Sequence, residues 1–211
     1  MKTVLLSHKI NSLTPSYNNR GTFKINPIHS IEEGDTCNKV LITIDNHFGT
    51  HIDAPLHFCK HGRSISDFAP EFWISNCVYL LDCHPSKIFN CVKLIPPETE
   101  VLLLKTNFEK FRGTNEYINN QPIIEPEVAD VLVDYLPKLR FLGFDMISLS
   151  SILNRHIGRE AHKNFLCNKN VLIIEDMHLS EIYKSPKQII ISPLLIEGID
   201  GAPCTVFAHV E

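Results

Sequence analysis

The stretch His47-Phe48-Gly49-Thr50-His51-Ile52-Asp53-Ala54-Pro55-Leu56-His57 carries three histidines and an aspartate at odd-numbered positions. In an extended chain, residues of one parity point to the same side, so these four side chains would share one face. A straight strand, however, would separate His47 from His57 by roughly 33 Å at ~3.3 Å per residue. The segment must therefore fold back, and Gly49 and Pro55 are the positions where a bend costs least.

The residue types in this stretch indicate a metal site. His51 and Asp53 are two positions apart and can chelate one ion without any bend. Imidazole nitrogen together with carboxylate oxygen suits Zn²⁺, Mn²⁺ or Fe²⁺, and the lack of a cysteine ligand disfavours a purely structural zinc site. The alternative is a chance cluster of surface histidines, but the shared parity of the four side chains favours metal binding.

A second group of candidate ligands lies further along the chain. Residues 158–167 are compatible with a helix that carries His162, and residues 171–175 form an apolar run that ends on Glu175. Ligands of α/β proteins usually bind at the carboxyl ends of strands, which favours a functional role for Glu175. An acidic residue is also common at a solvated strand end, so Glu175 alone is weak evidence.

Composition limits the class of protein. The chain has 211 residues, 44% of them apolar and 21% charged, which fits one domain over residues 1–211 with a sizeable core. The net charge of −4 is not the strongly basic charge that is typical of nucleic-acid-binding proteins. No apolar run approaches the ~20 residues of a membrane span, and the N-terminal apolar stretch is too short for a signal peptide, so we expect a cytoplasmic protein. Seven cysteines without a Cys-x-x-Cys pair predict reduced, buried thiols and no disulfide framework.

Short apolar runs outnumber helical patterns along the chain. The predicted strands lie at 3–6, 40–44, 78–81, 101–104, 141–144, 171–175, 189–191 and 205–210. A helix is predicted after Pro126, because apolar residues recur at helical spacing over 128–136. Residues 8–38 and 107–124 are dense in Asn, Pro and Thr and are predicted to be long loops. The pattern predicts an α/β fold with a mixed β-sheet and few helices.

The motif His47-x-Gly-Thr-His51-x-Asp53-x-Pro-x-His57 resembles the signature of the putative-cyclase family of metal-dependent hydrolases, which includes bacterial-type kynurenine formamidase and isatin hydrolase. Further segments that resemble the family follow in the expected order over nearly the whole chain. They are Leu-Ser-His-Lys-Ile at 6–10, Leu-Leu-Lys-Thr at 103–106, Gly-Phe-Asp-Met-Ile-Ser at 143–148 and the Gly-Ala-Pro segment within 195–203. The resemblance implies a single-domain, swivelling β/β/α cyclase-like fold.

The resemblance also implies a set of metal ligands. It assigns His47, His51 and Asp53 to one divalent ion, and Asp53 with His162 to a second, with Glu175 bridging both. Zinc is the expected metal and manganese the alternative, with one or two ions per chain. A carboxylate that bridges two divalent ions is a recurrent feature of hydrolases.

The implied activity is hydrolysis of an amide bond by metal-activated water, with His57 as the general acid/base. Family formamidases place a substrate-contacting tryptophan in the N-terminal loop. The only tryptophan of this chain is Trp73, so Tyr17 is the nearest aromatic candidate for substrate binding. The expected substrate is a small aromatic amide, above all N-formylkynurenine, whose hydrolysis to kynurenine and formate belongs to tryptophan catabolism.

Two alternatives to arylformamidase activity stay open: hydrolysis of a cyclic amide of the isatin type, and a non-catalytic metal-binding relative of the family. The position of His57 argues against the second, because a proton-transfer residue beside a full ligand set has no evident binding role. The resemblance further implies a homodimer or homotetramer, with the loop over residues 8–38 contacting the partner chain.

Overall fold

A nine-stranded mixed β-sheet forms the centre of the computed structural model, which describes residues 2–211. The strands, in chain order, are β1 (Lys2–Leu5), β2 (Phe23–His29), β3 (Lys39–Ile44), β4 (His51–Asp53), β5 (Ile74–Ser75), β6 (Val78–Asp82), β7 (Val101–Lys105), β8 (Phe141–Phe144), β9 (Leu172–Glu175), β10 (Gln188–Pro193) and β11 (Gly201–Val210). The order across the sheet is β5-β10-β11-β4-β9-β8-β7-β6, and β1 also pairs with β11. Strands β6 to β9 run parallel and the other pairs are antiparallel, so the predicted mixed sheet is confirmed.

Few helices accompany the sheet, as the sequence predicts. They are α1 (Ile88–Cys91), α2 (Asn115–Asn119), α3 (Glu127–Tyr135) and α4 (Arg155–Lys163), the last continued by a π-helical turn at Asn164–Asn168. The helix predicted after Pro126 is α3, and the one predicted over 158–167 corresponds to α4 with its π-helical turn. Within residues 2–211, no helix combines the length and apolar character needed to span a membrane.

The sheet is covered on both faces, which explains the uninterrupted apolar run of β7. Leu102 and Leu104 pack into the cluster formed with the helices, whereas Val101 and Leu103 pack into a second cluster around Trp73. Parallel strands that are buried on both faces are expected to be apolar at successive positions rather than alternating. The burial of β7 on both faces of the sheet therefore agrees with its apolar sequence.

The prediction of two long loops is wrong in part. Residues 8–38 contain β2, which forms a separate two-stranded hairpin with β3, and residues 107–124 contain α2. Strand β2 includes Pro27 and is largely exposed, so it lacks the continuous apolar run by which the predicted strands are recognised. Strands β4 and β5 are too short to give such a pattern at all.

The expectation of reduced, buried thiols is also wrong in part. Cys59 and Cys167 are joined across 108 residues of sequence, and the other five cysteines are free. The bond links the loop after His57 to the π-helical turn after α4. Neither the odd number of cysteines nor their spacing signals a pair so distant in sequence, because only the fold brings the two thiols together.

Candidate metal centre

Strand β4 is the element that orients the two central side chains of the site. It contains three residues, and because side chains alternate along a strand, His51 and Asp53 face one side while Ile52 packs into the core on the other. Strand β9 lies antiparallel to it, with Glu175 directly opposite His51. All three polar side chains are buried, so the short strand places a histidine and two carboxylates in an interior site.

The segment around β4 folds back on itself at the expected positions. Gly49 adopts a φ of +65°, a backbone region that favours glycine, and a 3₁₀ turn begins at Pro55 and ends at His57. The ring centres of His47 and His57 consequently lie 4.1 Å apart, compared with the roughly 33 Å of an extended chain. The two bends bring the four side chains of the motif to one place.

The second candidate histidine reaches the same site from α4. Nε2 of His162 lies 3.5 Å from Oδ2 of Asp53 and 3.3 Å from Oε1 of Glu175. Nε2 of His51 lies 3.6 Å from Oδ1 of Asp53 and 3.4 Å from Oε2 of Glu175. These separations exceed ordinary hydrogen-bond lengths, but ligands held tetrahedrally at ~2.0–2.1 Å from one zinc ion lie about 3.3 Å apart.

The outer nitrogen of each ring fixes which atom faces the carboxylates. Nδ1 of His51 donates to the carbonyl oxygen of Gly49 at 2.8 Å, and Nδ1 of His162 donates to that of Gly158 at 2.7 Å. In the neutral rings, Nε2 therefore carries a lone pair that points at Asp53 and Glu175. Lone pairs aimed at carboxylate oxygens call for a proton or a metal cation between them, and a backbone carbonyl behind a ligating histidine is a common arrangement in metal sites.

Glu175 is oriented by the turn that follows β8. Oε1 of Glu175 accepts a hydrogen bond from the backbone N–H of Leu149 at 2.6 Å and another from the hydroxyl of Ser148 at 3.1 Å. Both donors belong to or adjoin the Gly-Phe-Asp-Met-Ile-Ser segment that resembles the family motif. The donor set of this site, with two imidazole nitrogens and two oriented carboxylates, fits a divalent ion of the zinc or manganese type.

The electrostatics of the site favour positive charge. Burial opposes a charge on the His162 ring, but its contacts with Asp53 and Glu175 prevail and raise its pKa to about 10. Burial also raises the pKa of Asp53, yet its contacts with His162 and His47 outweigh this effect and hold that pKa well below the ordinary value. The carboxylates thus stay ionised, and a metal ion would compete with protons for the histidines.

Asp200 is a site residue that the sequence analysis did not select. One of its carboxylate oxygens, Oδ2, accepts hydrogen bonds from Nδ1 of His57 at 2.7 Å and from Nε2 of His47 at 3.2 Å. Nδ1 of His47 in turn contacts Oδ1 of Asp53 at 2.8 Å. In the sequence, Asp200 is marked by its place directly before the Gly-Ala-Pro segment. In the structure, a Cβ atom on Gly201 would come within 2.4 Å of the His47 ring.

The site opens into a cleft of about 380 Å³. Its walls include Tyr17, which lies on a 3₁₀ turn of the N-terminal region, together with Phe58 and Ile147. Three arginines, Arg20, Arg155 and Arg159, also line it. The cleft therefore offers aromatic and apolar surface next to positive charge.

Comparison with known proteins identifies the class. The family model described as "Putative cyclase" matches residues 4–151, and the chain belongs to this family. The family resemblance found in the sequence is thereby confirmed. The matched region includes β4 and ends before His162, Glu175 and Asp200.

Curated relatives are named kynurenine formamidase. The protein of Bacillus anthracis is 24% identical over 204 residues, which cover 96% of this chain and 94% of the relative. The protein of Geobacillus thermodenitrificans is 27% identical over 173 residues, which cover 81% of this chain and 79% of the relative.

Solved structures confirm the predicted cyclase-like fold. Isatin hydrolase A from Labrenzia aggregata, bound to benzyl benzoate, superimposes with a TM-score of 0.84 at 20% identity and covers 100% of this chain and 94% of its own. A predicted metal-dependent hydrolase from Bacillus stearothermophilus gives a TM-score of 0.76 at 24% identity, with coverages of 98% and 97%.

Proposed function

We propose that this protein is a metal-dependent amide hydrolase of the arylformamidase type, which converts N-formylkynurenine to kynurenine and formate. The observation that carries the proposal is the arrangement of His51 and His162, whose Nε2 atoms face Asp53 and Glu175 at 3.3–3.6 Å. The names of the curated relatives support the choice of substrate. The carboxylates and imidazoles give the reaction a site for a divalent cofactor.

The proposed ligands divide between one or two ions. His47, His51 and Asp53 would hold the first, Asp53 and His162 would hold the second, and Glu175 would be shared between them. In support, single ligand atoms of His51, Asp53 and Glu175 lie within 4.8 Å of one another. We propose zinc as the ion, with manganese as the alternative. When bound, such an ion polarises a carbonyl group and lowers the pKa of water to about 7.

His57 is proposed to move the proton in this reaction. Because the Asp200 carboxylate accepts from Nδ1 of His57, the opposite nitrogen, Nε2, is the one available to accept a proton from water. Hydrolysis forms a bond between the formyl carbon and the water oxygen and breaks the bond from that carbon to nitrogen. Nε2 then returns the proton to the leaving nitrogen, so the aromatic product departs as a neutral amine.

The cleft supports an aromatic substrate that carries an anionic group. Tyr17 and Phe58 supply aromatic surface, and Arg155 and Arg159 supply guanidinium groups that match a carboxylate. N-formylkynurenine has both an aromatic ring and an amino-acid carboxylate, whereas isatin is a neutral cyclic amide. The arginines of the cleft therefore favour the formamidase reaction over isatin hydrolysis.

The test is an assay of purified, metal-loaded protein on N-formylkynurenine, neutral formanilide and isatin. We expect turnover of N-formylkynurenine that is lost on chelation and restored by zinc or manganese. The Arg159→Gln variant should raise KM for N-formylkynurenine about tenfold or more and leave KM for formanilide unchanged, since only the former has a carboxylate. Metal-loaded protein that hydrolyses none of the three would favour a non-catalytic relative, and preferential turnover of isatin would replace the proposed substrate.

We also propose that the protein forms a homodimer or a larger assembly through the hairpin of β2 and β3. This hairpin pairs with no other strand, and exposed aliphatic side chains cover it. They include Ile25, Ile28, Val40, Leu41 and Ile42. Exposed apolar surface of this kind usually marks an interface. Light scattering should give at least twice the chain mass, and the double variant Ile25→Asp/Ile42→Asp should shift it to the monomer.

The substrate role proposed for Tyr17 has its own test. Tyr17→Ala should raise KM for an aromatic amide while the metal content stays unchanged, because the side chain lines the cleft without contributing a ligand. An unchanged KM would remove Tyr17 from the proposed substrate site.

A further inference from the structure

Outside the cleft, three chain segments bring His8, Glu109 and His178 together. His8 follows β1, Glu109 lies on the 3₁₀ helix Phe108–Phe111 after β7, and His178 follows β9. One ligand atom from each of the three side chains lies within 4.8 Å of the other two. Nε2 of His8 is 3.6 Å from Oε1 of Glu109, and Nδ1 of His178 contacts the same oxygen.

The Nε2 atom of His8 is buried and has no hydrogen-bond partner among residues 2–211. A buried polar atom without a partner costs about 1–3 kcal/mol, so such atoms are rare in native structures. The 3.6 Å to Glu109 is too long for a hydrogen bond but is close to the ~3.3 Å between two ligands of one zinc ion. A shared cation would satisfy this nitrogen.

The Glu109 carboxylate is already oriented toward the two histidines. Its Oε2 accepts hydrogen bonds from the backbone N–H groups of Leu179 and Ser180, each at 2.9 Å, which leaves Oε1 on the side of the imidazoles. Such supporting hydrogen bonds are typical of ligating carboxylates. The nearby guanidinium of Arg112 donates two hydrogen bonds to Asp176, at 2.9 Å and 2.7 Å, so its positive charge is offset.

We propose that His8, Glu109 and His178 form a second binding site for a single divalent transition-metal ion, separate from the site built on β4. Two imidazoles and one carboxylate are ligands suited to Zn²⁺ and its first-row neighbours. A surface groove lined by His8 and His178 gives the ion access from solvent. Because the ligands come from three segments distant in sequence, an ion bound here clamps them together and stabilises the folded chain.

Zinc itself is the probe for this site. Wild-type protein, His8→Ala, His178→Ala and the control His61→Ala, which alters an exposed histidine, are equilibrated with zinc, desalted and analysed for zinc per chain. We expect His8→Ala and His178→Ala to hold one ion fewer than the wild type, and His61→Ala to match it. The rise in Tm on adding zinc should shrink in the same two variants.

Glu109→Gln is a further variant for the case that the histidine variants fail to fold. Its amide oxygen can still accept the hydrogen bonds from the backbone N–H groups of Leu179 and Ser180. It should fold, as judged by circular dichroism, yet lose the same ion. Equal zinc content in the wild type and in folded His178→Ala would overturn the proposal. An equal loss in His61→Ala would overturn it too, since it would show unspecific binding to surface histidines.

Discussion

The Asp200 carboxylate and Nδ1 of His57 lie 2.7 Å apart, although 143 residues separate them in sequence. The same oxygen of Asp200 contacts His47, so it joins two rings of the histidine motif. Asn46 also contacts Asp200, since its amide nitrogen donates a hydrogen bond to the other carboxylate oxygen at 2.7 Å. Asp200 is therefore held in position on both of its oxygens, and it fixes the orientation of His57.

The first prediction concerns Asp200. Asp200→Asn should lower kcat for N-formylkynurenine about 10–100-fold with little change in metal content, because the amide replaces the anionic acceptor that orients the His57 ring. Steady-state kinetics and elemental analysis provide the measurement. Asp134→Asn alters an exposed carboxylate on α3 and should behave as the wild type. An unchanged kcat in Asp200→Asn would show that His57 needs no such partner.

The second prediction separates proton transfer from metal binding. His57→Ala should retain the metal content of the wild type and lose about 10²–10⁴-fold in kcat, which is the usual contribution of a positioned general acid/base. Kinetics combined with metal analysis of the same preparation test it. A variant that is purified without metal would instead make His57 a ligand.

The third prediction concerns the proposed ligands. His51→Ala and Asp53→Ala should each lose at least one ion per chain, since both side chains face the centre of the site from β4. Elemental analysis after gel filtration measures this. The control is His84→Ala, which alters an exposed histidine far along the chain. Full metal content in both β4 variants would contradict the assignment.

The fourth prediction concerns the disulfide. Cys59→Ser or Cys167→Ser should lower the free energy of unfolding by about 2–4 kcal/mol, because the bond closes a long loop in the unfolded chain. Urea unfolding with and without a reductant provides the measurement, and Cys37→Ser, at an exposed free cysteine, is the control. Identical unfolding curves for the wild type and the Cys59 and Cys167 variants would contradict this prediction. Alkylation of thiols inside living cells would show whether the bond is compatible with the predicted cytoplasmic location.

The fifth prediction is a pH dependence of stability at Glu100. Burial raises the pKa of this carboxyl, but hydrogen bonds from Ser75 at 2.7 Å and Arg140 at 2.6 Å prevail and lower it. A pKa lowered by folding stabilises the protein above the unfolded value, ~4.3, and this stabilisation disappears as the pH falls through the folded value.

Glu100→Gln should therefore cost roughly 0.5–1 kcal/mol in the free energy of unfolding at pH 7, a value reduced for solvent screening, and a smaller amount near pH 3. Urea unfolding at the two pH values measures the difference. The exposed Glu98→Gln should show no pH-dependent difference from the wild type. An equal loss at both pH values would mean that the charge of Glu100 is not involved.

The sequence predicts the central strands of the sheet well because the apolar pattern that identifies each of them lies within the strand itself. Residues 101–104 and 141–144 are apolar at every position, and strands buried on both faces require that pattern. The sequence does not predict β2, because the side chains of this strand are exposed. It does not predict β4 either, because three residues give no periodicity. What identifies β4 is its chemistry rather than its hydrophobicity.

The candidate site shows the same limit of prediction from sequence: residues that lie close together in the chain are found, and distant ones are not. His51 and Asp53 are recognisable because they lie close together in one motif, and the motif resembles that of a family. Asp200 and the Cys59–Cys167 bond depend on contacts across more than a hundred residues. No local spacing encodes such contacts, since they exist only after the sheet has formed.

Strand β11, the last one in the chain, lies between β10 and β4 and also pairs with β1, the first. During synthesis, every ligand proposed for the site on β4 has been made once Glu175 is added, yet the neighbour that fixes one edge of β4 does not yet exist. Although domains generally fold as units during translation, the site on β4 cannot be completed until β11 has also been made. A chain cut short before Gly201 would therefore hold every ligand proposed for this site and still lack the strand that supports β4, so we expect it to bind metal more weakly than a chain that includes β11.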